Sequence, residues 1–175
     1  MPSRLRVPLG YAAGALVLFL ARPTSLSLLA GFPLALAGEA LRLWAAGHLE
    51  KTQRLATGGP YAHTRNPLYL GSMAIGAAVA VASANPWATA LTAAYFAALY
   101  PPVIRSEARF LRAKFGAEYA AWAQEVPLFL ARPTPGGPRA TRFAWARVRQ
   151  NREWRAAIGL PVVAAVLVAR GALFP

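Results

Sequence analysis

The chain has 175 residues, of which 57% are hydrophobic and only 14% charged, and it carries a formal net charge of +13. So apolar a composition excludes an ordinary soluble domain and points to a small polytopic membrane protein. With no cysteine in the sequence, disulfides, thiolate metal sites and cysteine nucleophiles are excluded as well.

Five apolar runs follow in order: Val7 to Ala21, Leu26 to Gly47, about Pro67 to Ala84, Pro86 to Ile104, and Ala156 to Phe174. Each approaches the roughly 20 residues needed to cross hydrocarbon, which predicts an all-α bundle of about five transmembrane helices. The first and last have uncharged stretches of only about 14 to 15 residues, a length that also suits a buried or interfacial helix. The first run resembles a signal peptide because Arg4 and Arg6 precede it. Arg22-Pro23 follows it directly, with no small-residue cleavage pattern, so an uncleaved helix is expected.

Seventeen of the nineteen basic residues fall before the first run, at or after the end of the second, or between Arg105 and Arg155; Arg22 and Arg170 alone fall on the opposite side. By the positive-inside rule this places the amino terminus and both long connections in the cytoplasm. A last helix that spans would put the carboxyl terminus outside; an interfacial one would keep it inside. The same distribution argues against nucleic acid as a partner and for a membrane surface.

Residues 1 to about 130 read as one membrane domain, 131–155 as a basic cytoplasmic or interfacial linker, and 156–175 as a carboxyl-terminal transmembrane or interfacial helix. In the second run Glu39 and Arg42 are spaced i and i+3 and share a helix face, so a mutual pair that holds helices together is expected. Glu107 to Glu125 reads as a cytoplasmic amphipathic helix. Phe110, Leu111, Phe115, Tyr119 and Trp122 recur at helical spacing with charges between them, and Pro127 ends the pattern. The basic Pro/Gly-rich stretch after it, and then Phe143, Trp145 and Trp154 among arginines, suit headgroup anchoring.

The densest polar segment is GPYAHTRNPLYLG, Gly59 to Gly71, at the mouth of the third run. Its bland reading is two helix-terminating prolines, two interfacial tyrosines and one more inside charge. Its functional reading makes Arg65, Asn66, Tyr61 and Tyr69 ligand-binding groups. His48 and His63 are candidate bases, although a lone loop histidine is more often solvated or interfacial. No residues have metal-ligand spacing.

Leu55 to Gly71, followed about 36 residues later by EARFLRAKFGAEYAAWAQEVP, Glu107 to Pro127, resembles the isoprenylcysteine carboxyl methyltransferase and phospholipid methyltransferase superfamily across roughly residues 34 to 127. The matching positions are Leu55, Gly59, Tyr61, Arg65, Asn66, Pro67, Tyr69 and Gly71, then Glu107, Ala108, Leu111, Phe115, Gly116 and Tyr119. Asn66 stands where the family pattern has histidine, and Ala108 where it has a second glutamate.

The resemblance implies an integral-membrane methyltransferase using S-adenosylmethionine and acting on a lipophilic substrate, an isoprenylcysteine-type carboxylate or a lipid amine. It implies catalytic roles for Arg65 and Glu107. Cofactor binding would fall to Gly59, Pro60, Tyr61, Arg65, Asn66, Pro67, Tyr69, Leu70, Gly71 and Glu107, with no metal. The site would be cytoplasmic. Two alternatives stay open: a non-catalytic membrane scaffold of the same fold, and an NADPH-dependent sterol-type reductase. The sequence leaves the oligomeric state open.

Overall fold

The computed structural model describes residues 2–50, 53–137 and 141–173, with side chains from residue 8 onward. Lys51, Arg139 and Phe174, and the side chains of Arg4, Arg6 and Val7, lie outside the described residues. Among the described residues the chain is helical with no strand: α1 (Pro2–Leu20), α2 (Ser25–His48), a 3-10 turn (Gly59–Ala62), α3 (Pro67–Ala82), α4 (Pro86–Glu125), α5 (Trp145–Gln150) and α6 (Trp154–Leu173). All five apolar runs are helical. Three helices, α2, α4 and α6, are long and apolar enough to cross a bilayer, while Pro8–Leu20 and α3 are shorter apolar helices. The last helix, one of the two expected to fall short, is the most apolar of the three.

Helix starts are set by local chemistry. Thr24 caps α2: its hydroxyl accepts the Ser27 amide at 3.1 Å, and the Ser27 hydroxyl accepts the Thr24 amide at 2.9 Å, the reciprocal arrangement that satisfies two otherwise orphaned donors. Asn85 caps α4, its Oδ1 accepting the amides of Trp87 and Ala88, with Pro86 at the first helical position where its missing N–H costs nothing.

The chain divides into two compact units. One comprises Met1–Gly38, Met73–Val103 and Ala156–Pro175. Here the ends of helices are tied by polar atoms: Asn85 Nδ2 donates to the Leu20 carbonyl at 2.8 Å, the Ser27 hydroxyl to that of Ala82 at 3.0 Å, and Arg170 Nε to that of Ala21 at 3.0 Å. Ala21, Ala82 and Leu167 form its small buried cluster.

The other unit comprises Glu39–Ser72 and Ile104–Arg155. Its core is Ala45, Leu55, Ala56, Tyr61, Tyr119, Trp122 and Val126. The stretch expected as a separate amphipathic helix from Glu107 forms the second half of α4, because nothing near Glu107 breaks the helix; the interruption comes at Gly116, at φ 50° and ψ −119°. That break turns Tyr119 and Trp122, each about 1% exposed, into the core, whereas Phe110 remains exposed.

Only glycine adopts the Gly116 conformation without strain, and an added Cβ there would meet no other atom. Gly116→Ala is therefore expected to cost about 1–3 kcal/mol through backbone strain alone, lowering the thermal midpoint in detergent by roughly 2–4 °C per kcal/mol. Gly14→Ala, within α1 and equally free of neighbours, should leave the midpoint unchanged or raise it.

Candidate functional site

The site region lies in the second unit and is built on the tight turn after α2. Gly59 sits at φ +57°, and a β-carbon there would run into the His48 imidazole. Pro60 and Tyr61 continue into the 3-10 turn, closed by the Tyr61 amide on the Gly58 carbonyl at 3.2 Å and the His63 amide on that of Pro60 at 3.1 Å. Tyr61 is 6% exposed, and its carbonyl accepts the Trp122 indole N–H at 3.3 Å. Burial first, and then the Glu107 charge, hold the Tyr61 phenol well above its ordinary range, so it stays neutral.

Arg65 donates from Nη1 to the Tyr119 hydroxyl at 3.1 Å, with its guanidinium carbon 5.9 Å from the centre of that ring. Its Nε is buried without a partner. Arg42 pairs with Glu153 and Arg147 with Glu50, whereas Arg65 makes no ion pair among the described residues.

The other motif residues separate into two groups. Tyr69 donates its hydroxyl to Glu107 Oε2 at 2.7 Å, so these two expected site residues do meet. Asn66, in contrast, precedes α3, its carbonyl accepting the Leu70 amide at 3.1 Å, and donates from Nδ2 to the Leu128 carbonyl at 2.7 Å, which commits its amide to holding the chain after α4. Pro67 is buried as the first residue of α3; Gly71 is buried, and Leu70 is half-buried. Ala108 packs against the Tyr61–Tyr119–Trp122 core.

His48 and His63 are both used in packing. His48 is buried, with Nδ1 3.0 Å from the Trp44 carbonyl; Nδ1 of His63 lies 2.9 Å from that of Arg132. A carbonyl only accepts, so Nδ1 carries the proton in each.

The expected Glu39–Arg42 pair does not form. Arg42 instead donates from Nη2 to Glu153 Oε2 at 2.6 Å and from Nη1 to the Ser72 hydroxyl. Both Glu39 carboxylate oxygens are buried with no hydrogen-bond partner. The guanidinium reaches past the helix turn because Ser72, on the same face of α3 as Tyr69 at i+3, and Glu153 give it two acceptors at once. Sequence reasoning missed Glu153 altogether. The available signal was its isolation: it is the sole acid after Glu125, in a stretch otherwise full of arginine.

Glu153 arrives on the segment expected as a basic cytoplasmic or interfacial linker. Its described parts are tied to the rest of the unit. The Arg132 amide donates to the His63 carbonyl at 3.0 Å and the Gly136 amide to that of Ala62 at 2.8 Å. Thr141 accepts the Gly58 amide at 3.0 Å, and Asn151 Nδ2 reaches the carbonyls of Ala46 and Leu49 at the end of α2. These bonds satisfy acceptors that a helix end otherwise leaves open.

Comparison with known proteins fits this geometry to a family. The model of the family described as phospholipid methyltransferase matches residues 26–118, more than half of the chain. The chain belongs to the phospholipid methyltransferase family. The matched part holds Glu39, Arg42, the Gly59–Gly71 turn and Glu107, and stops short of Trp122 and Glu153. Two curated relatives are the cobalt-zinc-cadmium resistance protein CzcN of Cupriavidus metallidurans, 40% identical over 97 residues, and the nickel-cobalt-cadmium resistance protein NccN of Alcaligenes xylosoxydans xylosoxydans, 34% identical over 93 residues. Each match covers 52% of this chain and 43% of the relative. No solved structure matches.

Removing the Arg42 guanidinium would strand two buried carboxylates. Arg42→Ala is expected to destabilise the detergent-solubilised protein by about 3–5 kcal/mol, the usual consequence of breaking a buried pair on one side. Glu153→Gln, which keeps an acceptor for Arg42, should cost less than half of that in the same thermal unfolding measurement.

Proposed function

We propose that this protein is an integral-membrane methyltransferase that uses S-adenosylmethionine to methylate a lipophilic substrate. Membership of the family supports methyl transfer, and the helices long and apolar enough to span support a membrane setting. The observation that carries the reading is Arg65: a guanidinium with a buried, unpartnered Nε and no ion pair among the described residues, in the same unit as the Tyr69–Glu107 pair. A planar fork of this kind suits a carboxylate. The methionyl carboxylate of the cofactor would supply one, and its amino group or ribose hydroxyls would find Glu107.

When bound, the cofactor supplies the electrophilic methyl group on its sulfonium, so the chain needs few acids or bases. Its own residues bind, orient and exclude water. Gly59 and Pro60 shape the turn that leads to Arg65, with the His48 ring packed where a β-carbon at Gly59 would go. Tyr61, neutral and buried, offers a fixed wall. The basic face of the chain, cytoplasmic by the charge rule, is where the cofactor would enter, while the substrate would arrive sideways from the bilayer.

Calorimetry of S-adenosylhomocysteine on the detergent-purified protein tests this. Binding in the micromolar range is expected, weakened about tenfold or more by Arg65→Ala, as for loss of a hydrogen-bonded charge pair, and weakened by Glu107→Ala. A folded wild-type protein that does not bind would refute the proposal.

A second reading rests on Ala108. Its place against the apolar core suits a scaffold that has given up the acid found there in the family pattern. Ala108→Glu separates the two readings: a large gain in S-adenosylhomocysteine affinity would mark a degenerate site, and a loss would mark alanine as part of a working one.

A further inference from the structure

Six acidic residues occur in the chain, all glutamate, and one of them stands out by what it lacks. Glu39 is 8% exposed, inside a helix apolar enough to span a bilayer, and neither carboxylate oxygen has a hydrogen-bond partner. An ionised carboxylate buried this way costs several kcal/mol unless a cation or donors meet it.

The nearby cation is bonded elsewhere through Nη1 and Nη2, and only its buried Nε is without a partner. Arg42 is engaged by Glu153, Ser72 and the Leu68 carbonyl. Arg42 and Glu153 are the two charges acting on Glu39 among the described residues. With Glu39 ionised, one guanidinium would face two carboxylates and the cluster would be one positive charge short. Beside Glu39 the helix reaches the surface: Ala40 is exposed and Leu43, one turn on, is half-buried.

The cluster lies in the same compact unit as the site. Ser72, which accepts Arg42, shares a face of α3 with Tyr69.

We infer that Glu39, flanked by the Arg42–Glu153 pair, is the seat for an ammonium group brought by a ligand. A primary ammonium supplies the missing charge and up to three N–H donors for the two orphaned oxygens. Two sources share that chemistry: the amine headgroup of a lipid and the amino group of the methyl donor. The inference rests on the methyltransferase reading only for the second source.

The test is binding, measured by calorimetry in detergent for wild type and Glu39→Gln, with three probes. These are lysophosphatidylethanolamine, its N-acetyl derivative, in which the amine is a neutral amide, and S-adenosylhomocysteine. A loss of about tenfold or more in Glu39→Gln, the scale of a charged hydrogen bond, for the lipid amine and none for its acetylated form supports the seat with lipid as source. The same loss confined to S-adenosylhomocysteine supports it with the donor as source. Equal binding of all three probes by wild type and variant overturns it.

Wild-type protein gives an independent readout. Dicyclohexylcarbodiimide, which modifies carboxyl groups in apolar surroundings, should label Glu39, and the amine probe should protect it, as read by mass spectrometry of the peptide. Labelling unchanged by every amine-bearing probe overturns the inference even if Glu39→Gln does not fold. Lipid-amine binding that depends on Glu39 in a protein that ignores S-adenosylhomocysteine would uphold the seat and reject the methyltransferase reading alone.

Discussion

A guanidinium within an apolar helix must be neutralised, and Arg42 finds its counter-charge 111 residues further along the chain, on Glu153. Much of the second unit follows from that requirement. The end of α2 carries Arg42, the start of α3 brings Ser72 to it, and the segment before α6 has to return far enough to deliver a carboxylate. The bond links the stretch matched by the family to a tail beyond it. The polar cluster is therefore assembled from parts that no contiguous motif contains.

The turn around Gly59 is a second fixed point, enforced by shape rather than charge. With the His48 ring packed where a β-carbon would go, the backbone must run close to the imidazole, and Tyr61 is then drawn under Trp122. The Gly116 break completes this arrangement, since an uninterrupted helix would carry Tyr119 and Trp122 away from that turn. Arg65 reads out the result. It leans on the hydroxyl and the ring face of Tyr119, a residue whose position depends on a glycine three places before it.

Helix positions were legible in the sequence because apolar runs are local signals. Pro86 opens both an apolar run and α4, whereas Pro67, whose bland reading was a helix terminator, instead opens α3. The motif residues Tyr69 and Glu107 could be paired only through resemblance, but they do meet. What stayed hidden depends on long-range competition. Spacing placed Glu39 beside Arg42 on one face, yet a long guanidinium chooses among all acceptors within its reach, and Ser72 with Glu153 outbid the carboxylate one turn away. The Pro/Gly-rich stretch read as a basic linker from its composition. Its order comes from backbone groups, which composition does not report. Gly116 was read as part of a helical pattern, since a single glycine inside such a pattern does not announce its torsion angles.

That reliance on backbone has a bearing on how the tail can diverge. From Pro127 to Ala144 the bonds that dock it run largely through main-chain atoms: the Pro127 carbonyl to the Arg65 amide, the Phe129 carbonyl to the Thr64 hydroxyl, the Arg132 and Gly136 amides to the turn, and the Ala144 amide to Gly47. A main-chain bond survives almost any side-chain exchange that leaves the path of the chain alone. Many side chains of the tail can thus change while its described parts keep their trace, with Arg132, Gly137, Thr141, Arg147, Asn151 and Glu153 among the pins. A segment held in this manner can keep its place in the fold long after it has ceased to look like its relatives.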